Sequence, residues 1–281
     1  MDHALLVSIW ICVAAIVGCL VLSVINDNYS QVDRLWSIIP IVYVAWFASQ
    51  ADFADARLNL MTALVTAWGA RLTFNFARKG GYKPGGEDYR WPVLRDKLGR
   101  VGFQIFNATF ISPYQNALLL LICLPAWVAL SHKGTPLNVV DVVAAVVFVV
   151  ALVGEFVADQ QQWDFHKKKD AARANGQTLE PPFLTTGLWK LSRHPNFVCE
   201  QTQWWCVALF GIAAATGGQL STVTSLPWPA LAGIFVGAVL LTLLFQGSSW
   251  FTEYLTVRKY PSYADWQKQT PRQFPLPIFK G

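Results

Sequence analysis

ALLVSIWICVAAIVGCLVLSVI, residues 4–25, runs for 22 positions without a charged side chain. A helix needs roughly 20 consecutive apolar residues to cross the hydrocarbon core of a bilayer, so this one stretch already predicts a membrane helix. Met1-Asp2-His3 ahead of it is not the basic flank of a secretory signal, and no small-residue cleavage site follows cleanly, so the helix is expected to be retained. The rest of the chain extends the pattern. Of its 281 residues 54% are hydrophobic and 14% charged, against about a quarter charged in soluble domains. Six further apolar blocks lie at 35–50, 58–78, 116–131, 138–160, 197–216 and 230–255. The expected fold class is therefore all-α: a polytopic integral membrane protein of about seven transmembrane helices joined by polar loops. No repeat, low-complexity tract or long linker interrupts it, so residues 1–281 read as one membrane domain. Within it, 1–131 supply the N-terminal helices and 138–281 the C-terminal helices and loops.

Charge placement tests the topology. If each block crosses once, nineteen of the 22 Lys and Arg fall on one side: Arg34, the run from Arg78 to Arg100, the run from Lys167 to Arg193, and those from Arg258 onward. Arg57 and Lys133 fall on the other, and Arg71 lies inside a helix. Such sorting marks a cytosolic face. The net charge of +5 thus reports membrane orientation and does not call for nucleic acid. Cys12, Cys19, Cys123, Cys199 and Cys206 all sit in apolar blocks with no CxxC pair, which reads as small buried side chains with neither disulfide framework nor metal site.

Ionisable groups within a span are costly and mark function by default. In GEFVADQQQWDFHKKK (154–169), Glu155, Asp159, Gln162 and His166 recur at spacings of four, three and four, one face of a helix. In RHPNFVCEQTQWW (193–205), Asn196, Glu200 and Gln203 do the same. Interhelical hydrogen bonding explains single residues of this kind; two converging faces with several carboxylates point to a ligand site. Arg71, Asn75 and Arg78 form a third stripe, although Arg78 sits where it can snorkel.

Two loops add anion-binding chemistry. ARKGGYKPGGEDYRWPVLRDK (77–97) mixes four Gly with basic and aromatic residues, a combination that suits phosphate and a nucleobase. It matches neither dinucleotide nor P-loop fingerprints, and an interfacial loop on anionic lipid accounts for it nearly as well. More specific is the turn at Gly187 leading to Arg193, His194, Pro195 and Asn196, where Pro195 fits a first helical turn and the free amides there can receive an anion. His194 is read as a positioning residue. The tail from Tyr254 mixes Arg258, Lys259 and Arg272 with Tyr260, Tyr263 and Trp266, and is expected to pack back on the other loops.

GLWKLSRHPNFVCEQTQWW (187–205), EFVADQQQWDF (155–165), WGARLTFNFARK (68–79) with GGEDYR (85–90), and RKYPSYADWQ (258–267) with PRQFP (271–275) resemble the membrane steroid 5-alpha-reductase superfamily. The similarity covers about residues 30–275 and is greatest to its uncharacterised DUF1295-type branch. Sterol reductases and isoprenylcysteine carboxyl methyltransferases share the 187–205 motif more loosely. The resemblance implies seven helices, NADPH held by the later helices and their loops, and a lipid substrate between the earlier ones. By position, Asp159 matches a cofactor-contacting Asp, Glu155 stands where steroid reductases have Asn, and Asn196 and Glu200 match an Asn and the acid one turn later. Arg193 and His194 replace the pair before Pro-Asn, and Tyr263 matches the Tyr of the C-terminal motif. The family Tyr that polarises an enone falls on Trp68, which cannot protonate an enolate, and the partnering Gln-Glu pair falls near Gln31 and Asp33. Asp33, Arg71 and Tyr114 are the nearest catalytic candidates.

The expected activity is an NADPH-dependent ene-reductase acting on a carbon-carbon double bond of a hydrophobic lipid such as a steroid or sterol, with Arg90, Arg193 and Arg258 on the cofactor phosphates and no metal. The setting is the endoplasmic reticulum in a eukaryote or the inner membrane in a bacterium. Two alternatives stay open: an S-adenosylmethionine-dependent membrane methyltransferase, which needs fewer phosphate-binding cations, and a non-catalytic lipid-binding protein.

Overall fold

The computed structural model describes residues 2–274. Pro275, the last residue of the tail motif, lies outside them. Among the described residues every regular element is a helix. The chain divides into two compact units: one comprises the chain up to Val146 together with Trp204–Leu241, the other Val147–Gln203 and the chain from Thr242 on.

The first unit begins with α1 (His3–Ile25), started by Asp2, whose side chain accepts from the Ala4 amide. Its surface is inverted relative to a soluble helix. Ser8, Cys12, Cys19 and Ser23 are buried, while Trp10, Val17, Val21 and Ile25 face outward. Small polar residues inward and branched aliphatics outward is the arrangement expected where the solvent is lipid. After the short α2 (Gln31–Leu35), α3 (Ile39–Ser49) and α4 (Ala56–Arg78) form a hairpin. They approach closely because Gly69 has no side chain; a Cβ there would lie 2.4 Å from the Ser37 carbonyl oxygen. Asp55 caps α4 through the Leu58 amide at 2.9 Å and also accepts from the Gly134 amide at 2.8 Å. Beside it, buried Arg57 makes a bidentate pair with buried Asp141 at 2.7 and 2.8 Å and donates to Thr135 and Pro136.

One stretch departs from the sequence expectation. Residues 79–115 read as a loop, yet α5 (Arg90–Phe106) is helical and continues through a π-helical segment, Asn107–Tyr114, into α6 (Gln115–Leu121) and α7 (Leu124–Ser131). Its polar residues disguise an amphipathic stretch that buries Trp91 and Phe103, and at Gly99 (φ +66°) the backbone leaves helical geometry in a kink. Pro113 lies inside the π segment; it supplies no N–H and so disfavours the regular α ladder. Within that segment Asn107 donates to Ser23 of α1 at 2.9 Å and accepts from Ser112 at 3.0 Å, so the irregular backbone is tied to its neighbours.

α8 (Val139–Ala174) runs 36 residues, fourteen beyond the apolar block that predicted it. At 1.5 Å per residue it is about 54 Å long, more than a bilayer core of about 30 Å. Its first half carries exposed Val142, Val143, Val146, Val149, Val150 and Val153, and its second half is polar. α9 (Pro195–Thr216) and α10 (Trp228–Lys259) follow, and the second unit closes with α11 (Tyr263–Gln269). Four helical runs are long and apolar enough to cross a membrane: His3–Ile25, Arg90–Ser131, Val139–Ala174 and Trp228–Lys259. α3, at 11 residues, is shorter than a span, and the polar residues of α4 and α9 keep them out of this group.

Candidate functional site

In the second unit the polar faces of α8 and α9 meet. Gly154 makes this possible, since a Cβ there would lie 3.0 Å from the Cys199 sulfur. Gln203 donates its Nε2 to Glu155 Oε2 at 2.7 Å and to the Cys199 carbonyl at 3.2 Å. The carboxylate fixes which amide atom is nitrogen, and therefore fixes that Gln203 Oε1, buried, has no hydrogen-bond partner. Asn196 Oδ1, Gln162 Oε1 and Gln201 Oε1 are likewise buried without a donor. Glu155, Asp159 and Glu200 are buried on the same two faces. The unmet oxygens of Asn196, Gln162 and Gln203 on these two faces suit a donor: amide N–H, sugar hydroxyl or a cationic group.

The turn that carries α9 into place is built on α8. The Gln161 side chain accepts from the Leu188 amide at 3.0 Å, and Trp189 donates its indole N–H to the Ala158 carbonyl at 3.1 Å. Gly187, at φ +63°, sits against Gln161 so closely that a Cβ would lie 2.5 Å from its amide.

Arg193 and His194, expected at the cofactor, are placed differently. Both are buried. Arg193 pairs with Glu253 of α10 through two bonds, 2.7 and 3.0 Å, and gives its remaining terminal nitrogen to the carbonyls of Gln267 and Thr270. His194 Nε2 lies 3.0 Å from the same Glu253, and Gln267 donates to it at 2.8 Å. The Arg193 amide and the Ser192 hydroxyl bond the carbonyls of Pro271 and Arg272. Buried Gln273 bonds Gln201, Gln246, Phe245 and Ser249. The guanidinium is thus occupied in fastening the C-terminal segment onto α9 and α10. Tyr263, also expected at the cofactor, is buried in an aromatic cluster with Phe183 and Trp266.

Cations on the surface of this unit stand at the polar ends of its long helices. Lys167 and Lys168 are exposed on α8, and Arg258 and Lys259 on α10. Arg258 donates to Tyr254 at 3.3 Å. Lys169 donates to Tyr260 at 2.9 Å, and that bond draws the Tyr260 phenol below its ordinary range.

In the first unit the Gly-rich loop is folded onto residues 26–34. Arg34 donates to the carbonyls of Gly81 and Gly86, and the Asp88 amide donates to Ser30. Arg90 binds Asp88 at 2.8 Å, and Arg95 binds Glu87 at 3.0 Å. Arg90, expected at phosphate, is therefore turned to an internal carboxylate. Asp33 accepts from the Trp91 indole at 3.4 Å. Burial, with the Asp88 charge beside it, raises Asp33 above the usual carboxylate range against the pull of Arg90, which suits a proton donor. Tyr114 is half-buried, its hydroxyl 3.4 Å from the Leu240 carbonyl and its ring stacked on Phe110. Arg71 is half-buried on α4.

Sequence reasoning passed over Glu253, Gln161 and Gln273. Glu253 had a signal, being an acid at the end of an apolar block; Gln161 and Gln273 had none, since only the fold brings them to their partners.

A model of the family described as protein of unknown function (DUF1295) matches residues 19–270. An uncharacterised protein of Schizosaccharomyces pombe is 35% identical over 268 residues, covering 90% of this chain and 74% of the relative. No solved structure matches.

Proposed function

Since the chain belongs to the DUF1295 family, whose description assigns no reaction, we propose from its residues that it is a multi-pass membrane reductase that uses NADPH on a carbon-carbon double bond of a hydrophobic lipid. In this reading the 35–50 block, of which α3 is the helical part, completes seven crossings with α4, α9 and the four apolar runs, and the basic loops face the cytosol of the endoplasmic reticulum or bacterial inner membrane. The observation that carries it is the acceptor-rich face of α8 and α9, where buried Asn196 Oδ1 and Gln203 Oε1 await donors beside Glu155, Asp159 and Glu200. A nicotinamide carboxamide and ribose hydroxyls are such donors. The exposed Lys167 and Lys168 begin eight residues beyond Asp159, about 12 Å along the same helix, and with Arg258 suit the phosphates. NADPH would supply the hydride. Asp159, Asn196 and Glu200 would orient the nicotinamide end by hydrogen bonds, holding the reacting atoms in place. Asp33, which burial keeps protonated to higher pH, would deliver the proton, with Arg71 and Tyr114 as the other candidates for stabilising developing charge.

A second reading has one observation in its favour. Three buried carboxylates, Glu155 and Asp159 on α8 and Glu200 on α9, also suit the sulfonium and amino groups of S-adenosylmethionine. The exposed cations weigh against it, since that ligand has no phosphate. Thermal unfolding of the detergent-solubilised protein with each ligand separates the two, because a ligand that binds the folded state raises its stability. NADPH is expected to raise the midpoint, and Asp159→Ala and Asn196→Ala to reduce that shift while leaving the unliganded midpoint within a few degrees. A shift with S-adenosylmethionine alone, or with neither, overturns the reductase reading.

A further inference from the structure

On α5, Arg90 pairs with Asp88 and Arg95 with Glu87, and the Arg95 guanidinium lies over the rings of Tyr29 and Phe103 at 5.0 and 5.5 Å. Lys97 and Arg100, one on either side of the Gly99 kink, are exposed. A Cβ at Gly99 would meet nothing within 4 Å, so the glycine serves the backbone turn at φ +66° and not a close approach. Around this turn basic and aliphatic side chains are interleaved. Leu98 follows Lys97, Val101 follows Arg100, and Ile105 lies one helical turn beyond Val101. All five are exposed, Val101 to 74% and Ile105 to 60%, while Phe103 between them is buried against Tyr29.

Water suits the cations and hydrocarbon suits the aliphatics, so a face that carries both within a few residues fits the boundary between the two. The run Arg90–Ser131, long and apolar enough to cross a membrane, contains this face near its start. An acyl layer would cover Leu98, Val101 and Ile105, and the head groups beside it would meet Lys97 and Arg100. Asp96 is exposed in the same stretch, and the two cations outweigh it. By sequence the Gly-rich loop offers its own arginines to anionic lipid. With Arg90 and Arg95 held by carboxylates, that contact falls to the cations at the kink. We propose that residues 97–105 form a contact site for anionic phospholipid, with Lys97 and Arg100 receiving the head group and Leu98, Val101 and Ile105 the acyl chains. In the proposed orientation the site lies on the cytosolic side, where the membrane surface is negative. The inference rests on the membrane-crossing half of the proposed function and is independent of NADPH.

The test places a fluorophore on Ala108→Cys, an exposed position that continues the spacing of Val101 and Ile105, in the full-length chain with its native cysteines replaced. The protein is reconstituted into vesicles of equal parts phosphatidylcholine and phosphatidylglycerol, and one lipid or the other carries an acyl-chain nitroxide, which quenches only a fluorophore close to it. The ratio of the two quenching curves is the preference for the anionic lipid at this site. Phosphatidylglycerol is expected to be preferred about fivefold at low salt, less at high salt. Lys97→Gln with Arg100→Gln is expected to remove the preference, and Lys133→Gln to leave it unchanged. Should the double variant fail to fold, Lys97→Glu reverses one charge and is expected to lower the preference by itself; no change in it would overturn the proposal. Equal quenching by both lipids, a preference that survives the double variant, or one that soluble glycerol phosphate abolishes does the same. Quenching by neither lipid would remove the membrane crossing of this run as well, whereas equal quenching by both leaves that crossing standing. The midpoint shift with NADPH is expected to be the same in the double variant as in the wild type, so this site and the cofactor reading fail separately.

Discussion

Arg193 shows how one side chain can be identified by sequence and given its work by packing. Its position beside a helix start suits an anion, and the anion it meets is the carboxylate of Glu253, buried with it. Removing one partner strands the other charge, a loss of roughly 3–5 kcal/mol for buried pairs. Arg193→Ala and Glu253→Ala are therefore expected to lower the unfolding midpoint strongly, and Arg193→Met with Glu253→Met to recover much of the loss; thermal unfolding in detergent checks this. Asp33 makes an opposite kind of prediction. Its carboxyl binds a proton more readily in the folded protein than in the unfolded chain. Stability from this group is therefore present at low pH and falls as pH rises from the ordinary carboxylate range through the raised value. Asp33→Asn removes that slope: the variant should match the wild type near about pH 4 and equal or exceed it near about pH 8, as read from unfolding midpoints at both. Asp159 was legible on one helical face, and Asn196 and Glu200 on another, from spacing alone. The identity of Gln203 as the link to Glu155 was not, because a face on each of two helices does not state which residue meets which.

At the scale of the element, the turn at Gly187 is the joint that sets α9 against α8. Gly187 needs φ +63°, and its missing side chain is what admits Gln161 to the Leu188 amide. Gly187→Ala meets both a left-handed backbone, costing roughly 1–2 kcal/mol, and a steric clash. It is expected to lower the unfolding midpoint by several degrees and to weaken binding of NADPH, measured by the ligand-induced midpoint shift. Elements also show where periodicity misleads. α1 and α8 were read from their apolar runs, and α8 simply extends further, since its polar continuation keeps helical spacing without hydropathy. α5 was missed because its polar residues and Gly99 resemble a loop; Gly99 does kink it, yet the stretches on either side are helical and bury Trp91 and Phe103. The π segment after it has only Pro113 as a hint, and its ties from Asn107 to Ser23 and Ser112 belong to the fold.

For the whole molecule, the sorting of basic residues predicts one orientation. With the native cysteines replaced and the protein expressed in a bacterial inner membrane, Lys83→Cys and Lys168→Cys are expected to react with an impermeant maleimide only after cells are opened, and Lys133→Cys in intact cells; the reverse pattern would overturn the assignment of the basic face to the cytosol. The sequence by itself determined the helical class, the apolar runs able to cross a membrane, the family and the acidic faces of α8 and α9. These follow from composition and period, which are local properties of the chain. Only the tertiary structure decided that Arg193 closes on Glu253, that Arg90 turns to Asp88, that Gln203 secures Glu155, and that Arg95 closes on Glu87 while Lys97 and Arg100 stay exposed. The reason is physical. A charge or donor is satisfied by whatever partner lies within about 3 Å, and for groups dozens of residues apart that distance is set by helix packing and not by spacing along the chain.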